Sequence, residues 1–159
     1  MPIDNLISEE SIANFSCRGH CHFYEGASTE NWRSAPNTNI IQTDQPWYVL
    51  YHFRTSGLLN HIMAGEWNLE LFLEKMGGEE FDLNPAYAKD RMAFVSRPTE
   101  YYKWAVIPPK EVPAGVYKAV ASVTFKGPLG VPGPIAMFAD IGMMQFYDEG
   151  PQPPGRPTP

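Results

Sequence analysis

The sequence predicts an all-β fold: a single antiparallel β-sandwich, with a small antiparallel β-barrel as the alternative closure. Three observations predict it. Successive stretches alternate apolar and polar residues with a period of two, the spacing at which side chains leave opposite faces of a strand. These stretches are short and separated by turn formers, with sixteen prolines and thirteen glycines spread over 159 residues. No long helical pattern lies between them. Parallel βαβ units are therefore excluded, and packing two antiparallel layers together buries one face of every strand.

The elements follow in order. Residues 3–12 have room for one or two helical turns, with Ser8 placed to cap them. From Phe15 the period is two: Phe15, Cys17, Cys21 and Phe23 share one face, and Ser16, Arg18, His20 and His22 share the other. Residues 25–37 are turn formers and read as a loop carrying Trp32. A short strand follows at 38–43. The stretch after Pro46, "WYVLYHFRT", is rich in aromatic and β-branched residues and is the strongest strand signal. Gly57 and Gly65 bracket an irregular connection.

In 66–76, Trp67, Leu69, Leu71 and Leu73 point one way and Glu66, Asn68, Glu70 and Glu74 the other, with Phe72 interrupting the polar face. Gly77 and Gly78 end that strand. Asn84 can cap a single helical turn with Pro85 at its first position. Strands are expected at 91–96, 100–107, 116–125, 135–140 and 141–148. The total is eight or nine, in a domain spanning 15–148 between an N-terminal segment (1–14) and a Pro-rich extended tail (149–159).

The passage 107–125, "IPPKEVPAGVYKAVASVTF", resembles the E-to-F strand passage of immunoglobulin-like and fibronectin-like sandwiches, with Tyr117 following the turn and entering the strand. The likeness covers about twenty residues. It implies an immunoglobulin-like general shape and nothing about function. The Cys…Trp…Cys spacing of antibody domains is absent.

Charge and composition restrict the partners. The net charge is −6 and no run of Lys or Arg exists. Nucleic acid and anionic membrane surfaces both require clustered cations, so neither is expected. No stretch of about 18 apolar residues occurs, and the N-terminus lacks a cationic, then apolar, leader pattern. Two cysteines are too few for a disulfide scaffold. The expected location is the cytoplasm.

The densest chemistry lies at Cys17–His22, which holds both cysteines and two of the four histidines. In an extended strand Cys17 and Cys21 are about 13 Å apart, too far for a disulfide, so they read as small core residues. His20 and His22 share a face and supply two ligands of a possible zinc or iron site, with His52 the natural third and His61 or Glu25 a further donor. Arg18 on the same face opposes a cation. No cofactor is expected otherwise. No G-x-S-x-G, P-loop, H-E-x-x-H or dinucleotide fingerprint is present. Glu66, Glu70, Glu74, Glu79, Glu80 and Asp82 read as a solvated face and an acidic loop, with calcium at Asp82 the alternative.

Among the aromatics, Trp47, Trp67 and Trp104 are expected in the core. Trp32 and one of the adjacent pair Tyr101 and Tyr102 are expected to face a ligand. The last two strands have no clean polar face. Met143, Met144 and Phe146 therefore join the candidate contact residues, and 116–125 with 135–147 are expected to meet a partner or a second copy.

The functional expectation is a non-catalytic binding or assembly module, homo-oligomeric, engaging a protein or carbohydrate through loops and exposed aromatics. One alternative is a metal-dependent enzyme built on His20, His22 and His52. Another is a small-molecule carrier or cyclase with a pocket lined by Tyr102, Met143, Met144 and Phe146.

Overall fold

Alternation becomes sheet in a computed structural model that describes residues 2–5, 14–26 and 37–150. The strands among them are β1 (Pro2–Asn5), β2 (Ser16–Glu25), β3 (Ile40–Gln42), β4 (Trp47–Ser56), β5 (Glu66–Lys75), β6 (Lys89–Ala93), β7 (Glu100–Ile107), β8 (Gly115–Lys126) and β9 (Pro132–Tyr147). A 3-10 turn (Leu58–His61) fills the glycine-bracketed connection. A single turn α1 (Pro85–Ala88) forms where Asn84 and Pro85 predict it, with the Asn84 side chain accepting the Ala86 N–H at 3.0 Å. Among the described residues no helix is long and apolar enough to cross a membrane.

The fold is all-β, and the sheet curls on itself. The strand order is β6-β5-β8-β9-β1-β2-β4-β7, all antiparallel, with β3 adding to β9 in parallel. Strand β1 joins two walls: Pro2 and Ile3 pair with β2, while Asp4 and Asn5 pair with β9. Residues 3–5 are therefore strand where the sequence suggested helical turns; residues 6–13 lie outside the described residues. Extended β1 takes the ladder positions open on both β2 and β9, which a helical turn could not satisfy. The walls face each other as in a sandwich and are continuous at one side as in a half-barrel. At the opposite side the end strands approach, and inward-facing Asp90 of β6 pairs with Lys103 of β7 at 3.3 Å.

One core lies between the walls. Cys17, Cys21 and Phe23 enter it from β2, and Trp47, Val49, Tyr51 and Phe53 from β4. Trp67, Leu69, Leu71 and Leu73 enter from β5, opposite. Trp67 meets Phe53 edge-to-face at 5.3 Å and Phe125 at 5.5 Å, and Trp47 meets Phe146 at 5.3 Å. Such contacts tie the walls together beyond area burial alone. Tyr117 donates its hydroxyl to the Pro113 carbonyl at 2.7 Å, closing the turn that precedes β8.

The two strands expected at 135–140 and 141–148 are one strand of sixteen residues with a bulge. Asp140 pairs with Val120 and Gly142 with Ala119, leaving Ile141 as an extra residue. Gly142 takes φ 84°, a conformation open to glycine, and its N–H donates to Asp140 Oδ1 at 3.0 Å. The extra residue shifts the alternation. Met137 and Ala139 face the core before it; Met144 and Phe146 do so after it.

Candidate functional site

The outer face of β2, β4 and β7 gathers most of the chemistry. Register lays it out in rows across the three strands: Arg18, Arg54 and Glu100; His20, His52 and Tyr102; His22, Leu50 and Trp104; Tyr24, Tyr48 and Val106. Each row follows from the period of two, since every second residue of these strands enters the core and its neighbour turns outward.

At one end of the face the rows are aromatic. Tyr24, Tyr48 and Leu50 are buried although they face away from the core, and Tyr102 and Trp104 pack against them. Tyr24 stacks on Tyr48 at 4.9 Å. Burial raises the phenol pKa of both above its ordinary value. His52 stacks on Tyr102 with centroids 4.3 Å apart and planes within 15°. Rings that close must lie face to face, and His52 lies across the ladder from Tyr102, so the Tyr102 plane runs along the strand direction. Trp104 lies 6.3 Å along the strand from Tyr102 and within 16° of its plane. The two rings therefore stand side by side along β7, the last strand of the sheet among the described residues. The Trp104 indole N–H is buried and finds no acceptor among the described residues.

The other end is polar and largely cationic. His52 Nε2 lies 2.8 Å from Glu100 Oε1. The hydrogen bond with His52, then that with Tyr102, holds the Glu100 carboxyl below its ordinary pKa. The pKa of His22 is lowered by burial and by the neighbouring charges of His20 and His52. Arg18 stands directly opposite Arg54, both exposed. Among the described residues neither forms an ion pair with a carboxylate.

Several expected site residues lie elsewhere. Tyr101 is in the core, stacked on Phe53 at 4.9 Å, and its hydroxyl accepts the Val95 N–H. Met144 and Phe146 are also core residues, because the bulge in β9 turns them inward. Met143 is exposed on the outer face of the opposite wall. Tyr102, Met143, Met144 and Phe146 thus do not line one pocket. Trp32 lies outside the described residues. Trp104, expected in the core, is half-buried on the outer face, since it shares the alternation of Tyr102.

The three histidines do converge: His20 lies 5.9 Å from His22 and 6.4 Å from His52 between ring centroids. Among the described residues, however, no group of three or more His, Cys, Asp or Glu side chains is placed to hold a metal ion. Glu25 is engaged elsewhere, accepting the Gln42 N–H at 3.0 Å.

The His52–Glu100 pair has the form of an oriented base, but among the described residues no serine or cysteine stands beside it. Ser16 and Ser56 hydrogen-bond each other at 2.7 Å, and Ser56 is four residues along β4 from His52, about 13 Å. Cys17 and Cys21 are free and buried on the other face. Burial pushes the Cys17 thiol up to about 12 and that of Cys21 up as well. Neither is a thiolate near neutral pH.

Two other surfaces stand out. Among the described residues strand β6 pairs with β5 only up to Glu70, leaving an open edge beyond it. A solvent-open cavity of about 750 Å³ lies there, lined by Glu70, Phe72, Glu74, Glu79, Glu80 and Asp82 among others. On the outer face of β5, β8 and β9, Phe72, Val116, Phe138 and Met143 are exposed.

No protein-family model matches the chain, and no curated protein matches its sequence. Sequence reasoning reached His20, His22, His52 and Tyr102. It missed Arg54, Glu100 and Trp104 as members of the same face. Alternation counted outward from Tyr102 reaches Glu100 and Trp104, and from His52 it reaches Arg54; that these strands are neighbours is not in the alternation.

Proposed function

We propose that the chain is a non-catalytic binding module whose ligand is a carbohydrate, held on the outer face of β2, β4 and β7. The observation that carries the reading is the Trp104 ring, half-buried on the outer face in the row of His22 and Leu50. The C–H face of a sugar ring packs on such an aromatic surface. Polar groups surround the ring in the mixture that hydroxyl groups require: imidazoles at His20 and His22, and an acceptor at Glu100. That no serine or cysteine stands beside His52 and Glu100 among the described residues supports binding over turnover.

The test is a panel of immobilised oligosaccharides, neutral and acidic, probed with the full chain and with Trp104→Ala. Binding to a subset is expected, weakened about tenfold or more by the substitution, which corresponds to about 1.4 kcal/mol. In the unsubstituted protein the Trp104 indole N–H resonance should shift on titration. Binding that leaves this resonance and the Trp104→Ala affinity unchanged would place the ligand elsewhere. A panel with no binder at all would overturn the carbohydrate reading.

A further inference from the structure

We infer that the open edge of β5 is a docking site for an extended, cationic segment of a partner protein, which adds to the sheet as a further strand beside Leu73 and Lys75. Upstream of Lys89 the chain coils into α1, where the Ala88 N–H donates to the Asn84 carbonyl at 3.0 Å, so β6 stops pairing at Glu70. Two hydrogen bonds fix which side the main-chain groups of β5 take. The Phe94 N–H donates to the Gly65 carbonyl at 3.0 Å, on the β6 side, and the Met76 N–H donates to the Val116 carbonyl at 2.8 Å, on the β8 side. These groups alternate sides along an antiparallel strand, and the β5–β8 register runs without a shift. Leu73 and Lys75 therefore turn their N–H and C=O groups to the open side, and among the described residues they meet no partner there. Such an edge is a template for another strand.

The space beside that edge has the size of a ligand site. The cavity of about 750 Å³ is lined both by 71–75 and by the returning segment 78–83. Pockets that take ligands span about 300–1,000 Å³. A strand laid about 4.8 Å from β5 alternates as β5 does. One set of its side chains continues the inward row of Leu71 and Leu73, where buried Leu83 and partly buried Phe81 belong to the same core. The other set continues the outward row of Glu70, Phe72 and Glu74.

Charge selects the occupant. Glu70, Glu74, Glu79, Glu80 and Asp82 line the cavity against Lys75 and Lys89. Glu70 already pairs with Lys89 at 3.4 Å, and Glu74 stands opposite Lys118 on β8. Glu79, Glu80 and Asp82 are exposed and form no ion pair among the described residues. A second copy of this chain, at −6, would bring its own negative field to these carboxylates. A segment alternating apolar residues with Lys or Arg brings the opposite charge while its N–H and C=O groups complete the ladder. The edge lies in the wall opposite Trp104, so a peptide here leaves the proposed carbohydrate face uncovered.

The experiment titrates the isotope-labelled full chain with a capped octapeptide alternating Lys and Val, followed by amide resonances and hydrogen exchange. An octapeptide alternating Glu and Val is the charge control. Two further forms of the Lys–Val peptide carry N-methyl groups on every valine or on every lysine. With valine facing the core, antiparallel pairing turns the valine N–H groups toward β5, because residues directly opposite share a face and exchange their bonds; parallel pairing turns the lysine N–H groups there instead. The protein variant is the double substitution Glu79→Gln with Glu80→Gln, both exposed, which should keep the parent melting temperature.

The expected result is that the Lys–Val peptide binds about tenfold or more tightly than the Glu–Val one, weakens with salt and loses about tenfold in the double variant. The Leu73 and Lys75 amides should exchange quickly in the free chain and slowly in the complex. N-methylation of one alternate set alone should abolish binding: the valine set for an antiparallel strand, the lysine set for a parallel one. An equal effect of the two N-methylated sets would mean adhesion by charge without a ladder and overturn the inference. Resonance shifts confined to residues away from 71–75 would overturn it too, as would Leu73 and Lys75 amides already protected in the free chain. So would a Lys–Val peptide that does not bind.

Discussion

Gly19 sits behind the candidate face, and replacing it tests the register on which that face depends. It pairs with Phe53, between the Arg18–Arg54 and His20–His52 rows. A Cβ added there would stand 2.3 Å from the His52 carbonyl oxygen, 2.4 Å from Phe53 Cβ and 2.6 Å from Phe53 Cα. Ordinary contact begins near 3.4 Å, so these atoms must retreat by about 1 Å. They belong to the backbone and first side-chain carbon of β4, which is paired with β2 on one side and β7 on the other. A shift of that size would stretch ladder hydrogen bonds out of their usual range of about 2.7–3.2 Å.

Overpacking typically costs about 1–3 kcal/mol, and a rigid backbone neighbour places Gly19→Ala at the upper end. The stiffer unfolded chain returns about 0.4–1 kcal/mol. The expected loss is therefore about 2–3 kcal/mol, or about 4–12 °C in melting temperature for a chain of this length. Urea unfolding gives the loss as a lower midpoint at unchanged slope. Gly150→Ala is the control, since its added Cβ meets nothing within 4 Å; its stability should stay within about 0.5 kcal/mol. If Gly19→Ala matches that control, Gly19 does not lie against Phe53. The rows that place His20 opposite His52 and Arg18 opposite Arg54 would fall with it.

Two further expectations concern the bulge and the thiols. Phe146→Ala should cost about 3–5 kcal/mol and Met143→Ala less than about 0.5 kcal/mol in the same unfolding assay, because Ile141 as an extra residue turns Phe146 inward and Met143 outward; the reverse order would mean that β9 runs straight. Cys17 and Cys21 should resist iodoacetamide while the chain is folded and react on unfolding, read by mass spectrometry, and rapid labelling of the folded chain would contradict their burial. The folded-state pKa of Cys17 is raised from 9.0 to about 12, so the folded form keeps a proton that the unfolded form gives up. Its contribution to stability is full below about 9 and is lost as pH climbs toward about 12, visible as a falling urea midpoint.

Much of the local structure was legible in the sequence. Alternation assigned Cys17, Cys21 and Phe23 to the core face of β2, and Trp67, Leu69, Leu71 and Leu73 to that of β5. It also put Tyr101 and Tyr102 on opposite faces. Asn84 and Pro85 marked the short helix α1, and Tyr117 marked the turn before β8. These readings hold because they depend on backbone geometry within a few residues. The alternation of β9 was legible too, but not the point at which it slips. Ile141, Met143, Met144 and Phe146 are all apolar, and a one-residue shift leaves no mark in such a run.

The sequence by itself determined the fold class, the residue types available and which of them leave the same side of each strand. The tertiary structure decided which strands are neighbours. It inserted β1 between β2 and β9, set β3 parallel to β9 and placed β7 beside β4. Only that last pairing brings Tyr102 against His52 and Glu100 against Arg54, and only the β2–β4 register sets Arg18 opposite Arg54. Side-chain direction is a property of the local backbone, whereas strand order is settled by burying both walls in one core, a sum over contacts far apart in the chain.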